Sequence, residues 1–427
     1  MKSSIRAIRA YRIWDSRGRP TLESEVTLEN GTIGRGIAPA GASRGSHEAI
    51  DLRDGGNAFG GFGVALAINN VNGPISSALT GLDVCNQSAC DLRLIELDPS
   101  PTKANLGGNA VVATSLAVLD AAARHKGIPV WRYLAGDSLV RMPLPQIQIF
   151  GGGAHAGRRT DIQDFMVMPV GASTFDEALC LCSDVYRAAG ELMASRGRLS
   201  GVADEGGWWP DFDSNEQALE TLTQAIEAAG YRNGSVKIAL DIAASEFGDP
   251  GSYRLGLGGK GYSTEEWIDQ LAAWVDKYPI ISLEDPVCES DKEGMKAITA
   301  KLGKRVQIVG DDFLVTNADR VSAAVSEGAC NAVLLKPNQA GTITETQAAL
   351  ERARQADWGT IVSARSGETE DVTIAHLAIG WNAGQLKVGS FARSERMAKW
   401  NEGVRIERNG TGLSGFAGAG ALPVRFE

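Results

Sequence analysis

No run of basic residues interrupts this chain, no two cysteines are spaced C-x-x-C, and no apolar stretch is long enough to cross a membrane. Each absence excludes something. Lysine and arginine total 42 against 52 aspartates and glutamates, a net charge of −10, which excludes a nucleic-acid polymer as the main partner. An anionic ligand must then be held locally, by a few placed cations or metal ions. Cys85, Cys90, Cys180, Cys182, Cys288 and Cys330 are scattered, the pattern of reduced thiols in a cytoplasmic protein. The opening MKSSIRAIRA lacks the apolar core of a signal peptide. The longest uncharged stretches, residues 55–82 and 104–119, are broken by glycine and polar residues, the first also by Pro74, so no membrane partner is expected. The glycine pattern of P-loop nucleotide sites is missing too.

What is present suits one large domain and a smaller one: 427 residues with 43% apolar side chains. The first 50 residues alternate apolar and polar, as in TLESEVTL and GTIGRGI, with a turn at Glu29-Asn30-Gly31, and predict a β-meander. From about His47 to Gly127 the pattern becomes helical, with Ala-rich segments such as VVATSLAVLDAAARHKG. The proline-containing joint RMPLPQIQ suggests a boundary, giving domains 1–138 and 139–427. Beyond it short apolar runs recur, each ending in a polar or charged residue: QIQIFGGGAH, DFMVMPVG, SGVADEGG, VKIALD, IISLED, VQIVGDD, AVLLKPN, TIVSAR and QLKVGS. Helical stretches such as STEEWIDQLAAWVDKY lie between most of them. Buried strands alternating with helices predict an α/β fold with a parallel sheet closed as an eight-stranded barrel. In such barrels the residues at the C-terminal strand ends converge on one site.

Those strand-end residues are Asp241, Glu284, Asp311, Lys336, Arg365 and Lys387. A single carboxylate there would face solvent without purpose. Three on consecutive strands, with no Cys or His beside them, form a hard oxygen donor set suited to Mg²⁺. Lys336 ends an otherwise apolar strand. It is either half of a structural ion pair or a base whose pKa is lowered by metal charge and partial burial, and the three carboxylates favour the base. Glu205 in DEGGWWPD and His155 in GGGAHAG are weaker signals, since glycines there serve ordinary turn chemistry.

WDSRGRPTLESEV, GASRGSHEA, GGAHAG, IQDFMVMPVGA, DEGG, ALDIAASEF, SLEDP, GDDFLVTN, LLKPNQAGTITET, SARSGETED and ARSERMAKWN occur in this order. Through them the chain resembles the enolase (phosphopyruvate hydratase) family over nearly its whole length. The resemblance implies an N-terminal β3α4 domain followed by an irregular eight-stranded α/β (TIM-like) barrel. It implies that Asp241, Glu284 and Asp311 ligate Mg²⁺, that Lys336 removes the C2 proton of 2-phosphoglycerate, and that Glu205 helps the C3 hydroxyl leave. His155 and Asp164 fall at catalytic positions, while Arg365, Ser366 and Lys387 hold phosphate and carboxylate. A homo-dimer or higher homo-oligomer is implied as well.

Four positions depart from the family. Ala40 replaces the loop serine that helps hold a second Mg²⁺, leaving one firm metal site, and Arg44 adds a cation to the same loop. Asp164 is one methylene shorter than the family glutamate, and Ala364 replaces a histidine. Both changes empty space in the pocket, and Arg44 adds charge suited to a more anionic ligand. A specialised paralogue is therefore expected, acting on a 2-phosphoglycerate-like or phosphonate acid, as carboxyphosphonoenolpyruvate synthases of phosphonate antibiotic pathways do. The alternatives are an ordinary glycolytic enolase and a non-enzymatic structural or surface-binding descendant. Retention of Lys336, Glu205 and the three carboxylates counts against the last.

Overall fold

The computed structural model of the chain describes residues 3–42 and 44–424; Ser43, in the loop that carries Ala40 and Arg44, lies outside them. Strands β1 (Ile5–Trp14), β2 (Pro20–Leu28) and β3 (Ile33–Ile37) form the expected antiparallel meander. Along β2, Leu22, Ser24, Val26 and Leu28 are buried while Glu23, Glu25 and Thr27 face outward, the period of two that fixes register. Gly31 supplies the positive φ of +84° in the β2–β3 turn.

Four helical units follow. Residues 65–79 form one run, α1, in which Val71–Ile75 is a π-type segment around Pro74. Then come α2 (Gln87–Leu97), α3 (Gly108–Lys126) and α4 (Val130–Ala135). Small residues let α3 sit directly on the meander. A Cβ at Gly36 would lie 2.3 Å from the Ala113 carbonyl oxygen, and one at Gly34 would lie 2.2 Å from the Ala121 nitrogen.

The rest of the chain closes an eight-stranded barrel of β4 (Leu144–Gly151), β5 (Asp164–Met168), β6 (Lys237–Asp241), β7 (Ile280–Glu284), β8 (Gln307–Gly310), β9 (Ala332–Leu335), β10 (Gly359–Ser363) and β11 (Gly384–Gly389). Around it run α5 (Phe175–Ser195), α6 (Asn215–Ala228), α7 (Thr264–Lys277), α8 (Lys292–Leu302), α9 (Ala318–Glu327), α10 (Ile343–Gln355), α11 (Thr373–Gly380) and α12 (Ser394–Asn409). Their starts are written in the sequence. Thr174, Ser214 and Thr342 cap α5, α6 and α10, and Ser263 forms a capping box with Glu266 on α7. Among the described residues no helix is long and apolar enough to cross a membrane.

The barrel is irregular at its start. Strand β5 runs antiparallel to both β4 and β6, and α5 and α6 both follow it before the parallel order begins. Its first residue, Asp164, therefore sits on the rim where the other strands end, in register with Asp241, which pairs in turn with Glu284. SGVADEGG, expected as a strand, is instead a loop fastened by single bridges from Val202 and Phe150 to Trp208. Its glycines serve the turn that presents Glu205.

Close approach of α3 to the meander gives a direct test. Gly36→Ala should lower stability by about 1–3 kcal/mol through overpacking, read as an earlier urea midpoint. Gly73→Ala, whose Cβ would meet nothing within 4 Å, should not lower it. Equal midpoints for the two variants would contradict this packing.

Candidate active site

Two lysines organise the rim. Lys387, whose side chain is buried at the top of the barrel, donates to Asp241 Oδ2 at 2.8 Å and to both Glu284 oxygens at 2.8 Å. Asp164 Oδ2 lies 3.8 Å from the same ammonium. Lys336, just past β9, donates to Asp311 Oδ2, whose other oxygen accepts from Gln339 Nε2 at 2.9 Å. Asp311 is aimed by its neighbour. The Asp285 carboxylate accepts the backbone N–H of Asp311 at 2.9 Å and of Asp312 at 2.7 Å.

Burial and crowding set the charges. Desolvation, then the Asp241 charge, push the Glu284 carboxyl well above its ordinary range against the pull of Lys387. Burial alone would lower Lys387, but Asp241 and Glu284 hold its ammonium well above the usual value. Lys336 differs from the expected lowered base. Burial is the largest single influence and lowers it, yet Asp311 and Glu284 together outweigh burial and raise it.

A second group lies beside the first. His155 Nδ1 is 2.9 Å from Asp164 Oδ1, and its Nε2 is 3.7 Å from Glu205 Oε1. Burial would lower the imidazole, but Asp164 and Glu205 raise it to about 9. Asp164, which burial would raise, is held at about 2, chiefly by His155 and Lys387. Its Oδ1 also accepts from Gln148 Nε2, whose amide oxygen takes the Gly207 N–H at 2.8 Å. Gly206, at φ +92°, lets the Glu205 loop pass the Ala392 carbonyl, 2.2 Å from where a Cβ would stand.

The third group is cationic. Arg365 is 4% exposed and bonds Glu48 Oε2 at 2.8 Å, a contact from the N-terminal half of the chain to a barrel loop. Ser366 Oγ accepts from Arg17, which also reaches Asp204 at 3.2 Å. Ala40 pairs backbone to backbone with Gly367. Ala364 and Ala42 line one pocket together with His155, Glu205, Lys336 and Lys387. Asp164, Asp241, Arg365 and Ser366 also face it, while Glu284 and Asp311 join through their lysines. Arg44 is exposed and is not part of that wall.

Gln148, Glu48, Asp285 and Arg17 escaped the sequence reading. Gln148 had a signal, a polar side chain at an inward position of QIQIF. The other three are visible only once the fold brings them in.

The donor set suits a divalent cation. Asp164, Glu205, Asp241, Glu284 and Asp311 supply five carboxylates against Lys336, Lys387 and a protonated His155, an excess of two negative charges when all are ionised. Asp164 Oδ2 and Gln163 Oε1 are buried oxygens without a hydrogen-bond donor. Among the described residues two sets have ligand atoms within 4.8 Å of one another, His155–Asp164–Glu205 and Asp285–Asp311–Asp312, and the expected triad of Asp241, Glu284 and Asp311 is not one of them. These acidic groups can hold a metal.

Comparison with known proteins agrees with this geometry. Residues 5–134 match the family described as "Enolase, N-terminal domain", and residues 139–423 match "Enolase, C-terminal TIM barrel domain". The chain is 50% identical over 407 residues to "Enolase 1" of Desulfitobacterium hafniense (strain Y51), covering 94% of this chain and 93% of that protein. With both domains matched and the barrel rim carrying the expected acids and lysines, the chain belongs to the enolase family of lyases.

Proposed function

We propose that the protein removes the proton next to the carboxylate of 2-phosphoglycerate and releases the C3 hydroxyl as water. The observation that carries this reading is one pocket faced by Lys336, by the His155–Asp164–Glu205 group and by Arg365 with Ser366. Arg365 and Ser366 bind the phosphate. Lys387 faces the substrate carboxylate, and Lys336 in its neutral form takes the C2 proton onto Nζ; Asp311, with its charge drawn off by Mg²⁺, would no longer keep Lys336 protonated. Glu205, beside His155, delivers a proton to the departing hydroxyl. Taking a proton α to a carboxylate puts a second negative charge on it, so positive charge must be concentrated there. Mg²⁺ held by Asp241, Glu284 and Asp311 would supply Lewis-acid stabilisation of that charge.

A second reading rests on one feature of the same pocket: its wall includes Ala364 and Ala42, small side chains beside buried cations. Such a wall suits an acid with an additional anionic group, such as a phosphonate, although the cavity as it stands is only about 20 Å³. The relative named "Enolase 1" favours simple dehydration. Wild-type turnover of 2-phosphoglycerate near 10 s⁻¹, a typical enzyme value, upholds dehydration; a rate about a hundredfold lower turns the assignment to the bulkier acid.

Lys336→Ala should lower 2-phosphoglycerate turnover by at least about a thousandfold, within the span of general acid–base catalysis, with binding still measurable by calorimetry. A variant that keeps most of its turnover would remove Lys336 from the role. Asp241→Ala should lose most of the rise in melting temperature that Mg²⁺ gives the wild type, since that rise reports binding to the folded state. An unchanged Mg²⁺ response would show that the metal sits elsewhere.

A further inference from the structure

Two cations on α12 stand behind the loop that carries Arg365 and Ser366, and neither lines the pocket itself. Arg396 and Lys399, three residues apart on one helical face, are both fully buried at 0% exposure. Charged side chains are almost never buried to that degree without dedicated partners. Here nearly all the partners belong to the segments that carry the site. Arg396 donates from Nη1 to the carbonyl oxygens of Arg365, at 2.6 Å, and Val388, at 3.0 Å, and from Nη2 to that of Ser366. Its one acidic neighbour is Glu395, at 3.6 Å. Lys399 donates to the Thr369 carbonyl at 2.9 Å and to its own helix at Glu395, at 3.0 Å, and pairs with Glu368 Oε2 at 3.2 Å. Glu368 closes the circuit, because its Oε1 accepts the Arg365 backbone N–H at 2.9 Å. Gly389 leaves room for the arginine: a Cβ there would lie 3.0 Å from Arg396 Cδ.

We propose that Arg396 and Lys399 are positioning residues that fix the loop of residues 364–370, and so set the affinity of the site for its phosphorylated acid. A loop left to itself between β10 and α11 would turn its carbonyls to water and let Arg365 sample several directions. A planar guanidinium bonding three carbonyls from two strand ends holds Arg365, Ser366 and the segment after Lys387 in one geometry. Glu368 compensates Lys399, while Arg396 has only Glu395 at 3.6 Å, so its weakly compensated charge also acts on the anion from behind. The affinity part rests on the proposed dehydration chemistry; the loop-fixing part does not.

Arg396→Lys keeps the charge and loses the fork; Lys399→Met keeps the length and loses the charge. Each should raise KM for 2-phosphoglycerate about tenfold, the worth of one charge-assisted hydrogen bond, with kcat changed less than about threefold. Amide hydrogen exchange should quicken in the peptide spanning residues 362–371 and stay unchanged in β4 and β6. If Lys399→Met does not fold, Arg396→Lys decides alone. Wild-type exchange in that peptide overturns the inference, as does a fall in kcat with unchanged KM. If the wild type does not bind 2-phosphoglycerate, the substrate reading has failed, and loop exchange by itself upholds or overturns the positioning role.

Discussion

Everything at the barrel rim depends on the concentration of buried carboxylates that must not be left without positive charge. Asp164, Asp241, Glu284 and Asp311 are each at most 6% exposed. Such a cluster survives burial only when cations occupy it. Lys387 and Lys336 do so here, one bridging Asp241 and Glu284 and the other held on Asp311. The residual negative charge suits the rim to a divalent cation, which under the proposed function would stabilise the charge that proton removal beside a carboxylate creates.

The scaffold serves that cluster in two ways. Antiparallel β5 brings Asp164 to a rim that a regular barrel would have filled with the end of a parallel strand. The N-terminal half of the chain contributes Glu48 against Arg365 and Arg17 against Ser366, so the anion-holding loop is fixed from that side as well as by α12. The site is therefore assembled from both halves of the chain.

Much of this was legible in the sequence because barrel strands announce themselves as apolar runs with a charged last residue. Asp241, Glu284 and Lys387 were found that way, and the meander came from its alternation. Other features needed distances. SGVADEGG has a strand-like apolar content, but its glycines make it the loop that carries Glu205. The direction of the Lys336 shift depends on whether burial or the combined pull of Asp311 and Glu284 is stronger, and spacing along the chain cannot show that these groups meet. Asp285 looks like a second acid after Glu284, yet it turns back to bond the amides of Asp311 and Asp312. Arg396 and Lys399 are charged residues of a helix, yet with Trp400 they are its most buried side chains, which spacing alone does not show.

The central claim is that the rim takes the C2 proton of 2-phosphoglycerate. It is tested most directly by incubating the wild-type protein with Mg²⁺ and that acid in deuterium oxide, and recovering unreacted acid at partial turnover for proton NMR. The account predicts loss of the C2 proton, seen as deuterium at C2 of the recovered acid when the hydroxyl leaves slowly and as dehydrated product when it leaves quickly. Acid recovered in full with its C2 proton and no product formed would contradict it.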